Sequence, residues 1–84
     1  MEEILIGNKN LATYITVTLS AVSRTGKAKL LARGLNINKA VNVANILKNK
    51  FNVKIGNVVI GTDKLKTDDG KEINKSFIEI DISK

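Results

Sequence analysis

The chain has 84 residues, a hydrophobic content of 43%, an aromatic content of 4% and a formal net charge of +6. This length suits one domain, spanning residues 1–84, with a modest core of Ile, Val, Leu and Ala. The absence of Cys and His excludes disulfides, thiol chemistry and the usual zinc sites. No apolar run approaches transmembrane length and the MEE start does not resemble a signal peptide, so we expect a soluble cytoplasmic protein with no membrane partner.

The first half of the chain has the pattern of a strand, a helix and a second strand. Residues 3–6 are a short apolar strand that ends at Gly7. From Leu11 to Val22, apolar residues recur at helical spacing, and the asparagines before them can cap the helix, which Ser23-Arg24-Thr25-Gly26 ends. The predicted buried stripe consists of Leu11, Tyr14, Ile15, Leu19, Ala21 and Val22. Residues 27–33 then alternate between basic and small apolar side chains, which predicts a strand with one buried face.

The second half predicts a helix followed by a long hairpin. Asn36 or Asn38 can cap a helix over about residues 38–51, whose buried stripe is Ile37, Ala40, Val41, Ala44, Leu47 and Phe51. Extended runs over residues 53–66 and 72–82 follow, with Val53, Ile55, Val58 and Ile60 as packing residues of the first. Asp69-Gly70 between them suits a type I′ turn. The order β-α-β-α-β-β predicts an α+β two-layer sandwich, with two helices packed on a four-stranded sheet.

The hairpin is apolar near its base and mostly polar toward its tip. A polar tip cannot belong to the core, so we expect a protruding C-terminal arm over about residues 61–75. Such an arm can lie in a nucleic-acid groove, where a narrow minor groove attracts basic side chains. The alternative is a mobile loop in which Asp68, Asp69 and Glu72 offset the lysines.

Charge is distributed unevenly along the chain. Residues 4–62 contain nine Lys or Arg and no Asp or Glu. A field of one sign steers polyanions, and nucleic acid is the commonest target. Within this segment, Lys27, Lys29 and Arg33 share one strand face, and Lys39 falls in the first turn of a helix. A polyanion-binding surface is one interpretation; a solvated strand edge followed by a helix cap is the other.

Little in the sequence suits catalysis. Asp68 and Asp69 are adjacent in a turn, where they support turn geometry better than general acid–base chemistry. Thr25-Gly26-Lys27 lacks the leading glycine and the following Ser or Thr of a phosphate-binding loop. We therefore predict no enzyme activity, no catalytic residue, no metal site and no cofactor.

Several segments together resemble the Alba family of small archaeal chromatin proteins. They are Ile4-Leu5-Ile6-Gly7 with Tyr14 downstream, Ala32-Arg33-Gly34, Ile37-Asn38-Lys39-Ala40-Val41, Lys48-Asn49-Lys50-Phe51 and the closing hairpin with Ile78-Glu79-Ile80. The resemblance covers nearly the whole chain, and the Arg-Gly-x-x-Ile-x-Lys-Ala-Val segment is its most specific part. It implies a homodimer that binds double-stranded DNA, and often RNA, largely without sequence preference and in association with the nucleoid.

The resemblance also implies positions of contact. Lys9, Arg33 and Lys71 match basic contact residues, and Phe51 matches an aromatic residue used between dimers along DNA; ordinary core packing is the alternative role for Phe51. The full predicted nucleic-acid-binding set is Asn8, Lys9, Asn10, Tyr14, Lys29, Arg33, Lys39, Lys64, Lys66, Lys71 and Lys75. There are two alternatives to a DNA-binding protein. One is an RNA-binding protein, and the other is a subunit whose basic face docks an acidic protein.

Three positions depart from the family's pattern. Asn8 stands where members often carry an acetylated lysine, Leu35 where a second basic residue often follows Arg-Gly, and Asn74 where an arginine is frequent. Fewer positive charges predict weaker binding than that of a typical member, with room for some sequence or shape preference. Because Asn8 replaces the lysine that is acetylated in other members, we do not expect regulation by acetylation at this position.

Overall fold

The structure, a computed structural model, describes residues 1–84 as six main elements. These are β1 (Glu2–Leu5), α1 (Leu11–Thr25), β2 (Lys27–Arg33), α2 (Ile37–Phe51), β3 (Lys54–Lys66) and β4 (Glu72–Ser83). A short 3-10 turn over Gly34–Asn36 connects β2 to α2. The predicted order and the two-layer arrangement are confirmed. Neither helix has both the length and the apolar character needed to cross a membrane.

The four strands form one sheet in the order β1-β2-β4-β3. β1 runs parallel to β2, and the other neighbouring pairs are antiparallel. Parallel neighbours need a crossover connection, which α1 provides. Both helices cover the same face of the sheet, and the opposite face is named the outer face below.

The alternation predicted for β2 is confirmed. Ala28, Leu30 and Ala32 are buried beneath the helices. Their cross-strand partners are Ile82, Ile80 and Ile78, which are buried as well. The intervening side chains of both strands therefore lie on the outer face.

The buried face of α1 contains three residues of the predicted stripe and one residue, Thr18, that was not predicted. Tyr14, Thr18, Ala21 and Val22 are buried, whereas Leu11, Ile15 and Leu19 are only partly buried against the core. The hydroxyl of Thr18 tolerates burial because it donates a hydrogen bond to the carbonyl oxygen of Tyr14 at 2.7 Å. A pattern that counts threonine as polar misses this position.

The start of α2 also differs from the prediction. The helix begins at Ile37, and Asn36 precedes it with φ −81° and ψ −9° and without a side-chain cap hydrogen bond. Asn38 already lies inside the helix. The expected asparagine cap is wrong because the turn over Gly34–Asn36 continues directly into the helix, so the chain never adopts the extended conformation that a capping residue needs.

The stripe predicted for α2 is correct at its centre and wrong at two positions. The buried residues are Ala40, Val43, Ala44 and Leu47. Val41 and Phe51 were expected in the stripe but are exposed. Asn52 ends the helix with a left-handed backbone (φ 58°), which asparagine tolerates better than most residues.

The hairpin of β3 and β4 extends beyond the rest of the sheet. β2 pairs with β4 only as far as Arg33 opposite Phe77, whereas β3 and β4 stay paired out to Lys66 opposite Glu72. Residues 62–76 therefore form a two-stranded projection, named the arm below. With it, the molecule measures 45 × 24 × 20 Å.

The turn at the tip of the arm is not type I′. Asp68 and Asp69 keep negative φ, and only Gly70 is left-handed (φ 84°), whereas type I′ needs positive φ at both central residues. The N–H of Gly70 donates to the carbonyl oxygen of Thr67 at 2.9 Å. The N–H of Thr67 donates to the carbonyl oxygen of Lys71 at 2.8 Å. These bonds define a three-residue loop in which one glycine supplies the left-handed conformation.

Candidate nucleic-acid interface

The loop between β1 and α1 carries three of the predicted contact residues, and a buried side chain of the core is hydrogen-bonded to its backbone. The hydroxyl oxygen of Tyr14 accepts hydrogen bonds from the N–H of Gly7 at 2.8 Å and the N–H of Lys9 at 3.1 Å. Asn10 caps α1, because its Oδ1 accepts from the N–H of Thr13 at 2.9 Å. Asn8 and Lys9 remain exposed at the top of this loop. The loop thus presents Lys9 on a fixed backbone.

Tyr14 itself is buried, with 7% of its surface exposed. Its ring is therefore not free to stack on a base. The structure instead gives Tyr14 a supporting role, since its hydroxyl satisfies two backbone donors of the loop.

Lys39 connects the same loop to α2. Its Nζ donates to the carbonyl oxygens of Gly7 at 2.9 Å and Lys9 at 2.8 Å, and lies 5.9 Å from the centroid of the Tyr14 ring. These contacts, including a cation–π contact, explain a lysine in the first helical turn, where its charge opposes the helix dipole. Two of the three Nζ–H donors are occupied, so Lys39 positions the loop more than it faces solvent.

The outer face of the sheet brings cations and carboxylates together. Nζ of Lys29 lies 3.6 Å from a carboxylate oxygen of Glu79 and 3.9 Å from one of Asp81. Nη2 of Arg33 lies 3.0 Å from a carboxylate oxygen of Asp63. The expected field of one sign is therefore wrong for this face, because β4 and the root of the arm place acidic residues beside the basic strand β2.

The remaining predicted cations have no carboxylate within ion-pair distance. The four ion-pair contacts of the chain involve only Arg24, Lys29 and Arg33 on the basic side. Those without an ion pair in the predicted contact set are Lys9, Lys39, Lys64, Lys66, Lys71 and Lys75. Four of these six lie on the arm, and Lys9 lies on the β1–α1 loop.

The arm carries its lysines on both faces. Lys64 and Lys66 alternate with Asp63 along β3, so they project from the face opposite to that of Asp63 and its cross-strand partner Lys75. Lys71 follows the turn at the tip. A groove that enclosed the arm would thus meet a cation on either side.

Hydrogen bonds fix the turn at the tip of the arm. The carboxylate of Asp69 accepts from the hydroxyl of Thr67 and from the N–H of Lys71. These hydrogen bonds, first that from Thr67 and then that from Lys71, lower the pKa of Asp69 below its usual value. Asp69 therefore organises the turn, which agrees with the role predicted for it in place of catalysis. The chain contains no cluster of three acidic residues that could hold a metal ion.

Comparison with known proteins identifies the family. A family model described as Alba matches residues 2–62. The chain belongs to the Alba family. It is 37% identical to "DNA/RNA-binding protein Alba" of Nitrosopumilus maritimus over 99% of this chain and 90% of that protein. It is 33% identical to the protein of the same name from Methanococcus maripaludis, over 92% and 91% of the two chains.

Solved structures agree with this assignment to the Alba family. "Alba from Thermoplasma volcanium" superposes with a TM-score of 0.87 at 31% identity, covering 99% of this chain and 100% of that one. ALBA1 from Trypanosoma brucei has a TM-score of 0.83 at 19% identity, covering 99% of this chain and 68% of that chain. The second similarity concerns the fold alone.

Exposed apolar side chains lie at several places in this Alba chain. Phe51 closes α2 with 48% of its surface exposed, and Leu35 is almost completely exposed. Val58 and Ile60 were expected to pack, but they are 51% and 75% exposed in the single chain. Periodicity identified Val58 and Ile60 as apolar strand residues, but it could not show that β3 lies at the edge of the sheet, beyond the cover of α2.

Proposed function

We propose that this Alba chain is a homodimeric, largely sequence-nonspecific double-stranded DNA-binding protein that acts in the cytoplasm on the chromosome. The observation that carries the proposal is the set of exposed lysines without carboxylate partners on the β1–α1 loop and the arm. Lysines of this kind bind phosphates without first giving up an ion pair. The names of the relatives, which include DNA and RNA binding, support the same class of function.

Phosphate neutralisation supplies most of the affinity in this proposal. Side chains suited to bidentate base readout are scarce in the contact set, which consists mainly of lysines. Lys9 binds a phosphate from the fixed loop, while the arm lies along the minor groove and places Lys64, Lys66 and Lys75 against the flanking backbones. Asn8, Leu35 and Asn74 supply no charge, so the affinity is lower than that of a more basic member.

Arg33 and Lys29 contribute unequally to this surface. An exposed ion pair stabilises by only about 0–1 kcal/mol, so Arg33 can exchange Asp63 for a phosphate at little cost. Lys29 lies between Glu79 and Asp81 and is partly buried. A phosphate that approached Lys29 would meet two carboxylates, so this lysine adds little.

An uncovered apolar edge supports the homodimer. Val58 and Ile60 pair with Ile80 and Ile78, so they lie on the sheet face that the helices cover, yet they are exposed at the edge strand. Val41 on α2 is exposed as well. A second copy bound at this edge would bury these side chains and give a particle of net charge +12, twice the +6 of one chain. Phe51 then remains available for contacts between dimers on DNA.

Replacing Ile60 by Asp tests the dimer. Light scattering coupled to size-exclusion chromatography is expected to give twice the chain mass for the wild type and the mass of one chain for Ile60→Asp. The matched control is Val17→Asp, at an exposed apolar position in the middle of α1. A wild type that elutes as a monomer would contradict this part of the proposal.

Fluorescence anisotropy with a labelled 20-base-pair DNA duplex, over a series of salt concentrations, tests binding itself. We expect tight binding that weakens steeply with salt, and a weaker, flatter response for Lys9→Ala and Arg33→Ala. Lys27→Ala is the control, because Lys27 lies at the opposite end of β2 from Arg33. Binding that is absent, or unaffected in both variants, would contradict the proposal.

RNA is the second candidate ligand, because the curated relatives carry both nucleic acids in their names. An A-form backbone offers phosphates and 2′-hydroxyls to the same lysines. Titration of duplex RNA of the same sequence discriminates the two ligands. Tighter binding of RNA than of DNA at equal salt would assign the chain to ribonucleoprotein complexes.

A further inference from the structure

Leu35 is the most exposed large apolar side chain of the molecule, at 99%. A single exposed leucine is ordinary on a protein surface and needs no explanation by itself. Leu35, however, lies between the arm and the β1–α1 loop, the two segments that carry the lysines without an ion pair.

Two contacts define that position. Gly34, the neighbour of Leu35, lies against the arm, since a Cβ on Gly34 would be 3.1 Å from Cε of Lys75. On the other side, Lys39 lies four residues along the chain and donates to the carbonyl oxygen of Lys9. Leu35 thus projects from the surface that joins the arm to the β1–α1 loop.

The backbone holds Leu35 in a defined conformation. Gly34 is left-handed (φ 56°), and the N–H of Ile37 donates to its carbonyl oxygen, which closes the 3-10 turn around Leu35. This conformation at Gly34 is one that most other residues avoid. An apolar side chain on a fixed turn, flanked by cations, is the arrangement that minor-groove proteins use to press a wedge against a base step.

We propose that Leu35 enters the minor groove of the bound duplex and partly unstacks one base step. The inference rests on the proposed duplex binding and adds a contact that carries no charge. Its contribution is independent of salt, because no counterion is released when an apolar group is buried. It also favours pyrimidine–purine steps such as TA, which unstack more easily than A-tracts.

Leu35→Ala tests the inference on the full chain. Because the side chain is almost completely exposed in the single chain, we expect its truncation to leave folding unchanged, and light scattering checks that the variant has the same oligomeric state as the wild type. Against a duplex with a central TA step, we expect affinity to fall roughly 5- to 30-fold, from the transfer energy of the deleted carbons. The slope of log K against log salt stays the same. With 2-aminopurine at the TA step, the fluorescence increase on binding the wild type is lost in the variant. Val17→Ala is the matched control and leaves both signals unchanged.

The outcomes separate this inference from the function on which it rests. No duplex binding by the wild type overturns both. Duplex binding that Leu35→Ala leaves unchanged, with the 2-aminopurine signal intact, overturns only the wedge. A loss of affinity accompanied by a flatter salt slope also overturns the wedge, because it assigns the effect to displaced lysines.

Discussion

The outer face of the sheet and the arm both carry basic residues, but only those of the outer face have carboxylates beside them. On the outer face, Lys29 and Arg33 lie beside the carboxylates of Glu79, Asp81 and Asp63. On the arm and the β1–α1 loop, the lysines have no ion-pair partner. The number of cations in a segment therefore does not locate a polyanion site. The carboxylates that the fold brings beside a cation decide how readily it binds a phosphate: Arg33 has one exposed partner that it can exchange, whereas Lys29 lies beside two.

Loss of the arm lysines is expected to reduce duplex affinity more than any other change. Replacing Lys64 and Lys75 together by Ala removes one cation from each face of the arm. Charge-assisted hydrogen bonds contribute about 1.5 kcal/mol each, so duplex affinity falls on the order of 100-fold. The slope of log K against log salt decreases in magnitude by about 1.8, or 0.9 per phosphate contact. Anisotropy titrations measure both quantities; a loss below threefold would show that the arm does not touch DNA.

Loss of the Tyr14 hydroxyl, which supports the β1–α1 loop from the core, is expected to lower the stability of the protein. Tyr14→Phe leaves the N–H groups of Gly7 and Lys9 without their acceptor, which costs about 1–3 kcal/mol in the free energy of unfolding. Chemical denaturation measures this loss, and hydrogen exchange of those two amides becomes faster. Thr16→Ala, at an exposed position of the same helix, is the control and changes stability by less than about 0.5 kcal/mol. Unchanged exchange at both amides would remove the supporting role of Tyr14.

Asp63→Asn releases Arg33 from its ion pair. The variant removes the carboxylate 3.0 Å from the guanidinium but keeps the size of the side chain. We expect duplex affinity to rise about two- to fivefold, because the exposed pair contributes only about 0–1 kcal/mol. Glu72→Gln removes an arm carboxylate without an ion pair and serves as the charge-matched control. Equal gains in both variants would attribute the effect to net charge instead of pairing.

The smallest expected change is the loss of turn stability at the tip of the arm when the pH is lowered. The pKa of Asp69 is lowered by hydrogen bonds from Thr67 and Lys71. Its stabilisation of the turn is therefore complete above the unfolded-state pKa, about 3.9, and is lost as pH falls through the lower folded-state value. An NMR titration of the Asp69 carboxyl carbon measures this pKa. A value at or above about 3.9 would mean that the turn does not hold the carboxylate.

The order of elements was predictable because each carries a distinct local pattern. The alternation of Lys27–Arg33 and the polar hairpin tip led to the correct sheet strand and the extended arm. The finer errors have local causes as well. Thr18 is buried because its own backbone supplies a hydrogen-bond partner, and the loop of the arm needs positive φ only at Gly70.

The candidate site was predictable in composition but not in arrangement. The sequence places Lys29 and Glu79 fifty residues apart, and only the pairing of β2 with β4 brings them within 3.6 Å. The same holds for Lys39 and the carbonyl oxygens of the β1–α1 loop. Contacts between distant segments depend on strand order and register, which local periodicity does not contain.

Lys9→Ala and Lys29→Ala form a matched pair of variants that shows whether ion pairing selects the lysines that bind DNA. Lys9 and Lys29 are both lysines of the basic segment, but only Lys29 has carboxylates beside it. Salt-dependent anisotropy of the wild type, Lys9→Ala and Lys29→Ala on one DNA duplex compares them. We expect the slope of log K against log salt to decrease in magnitude by about 0.9 for Lys9→Ala and by less than about 0.3 for Lys29→Ala. Equal changes, or a larger change for Lys29→Ala, would contradict the claim that ion pairing decides which lysines bind DNA.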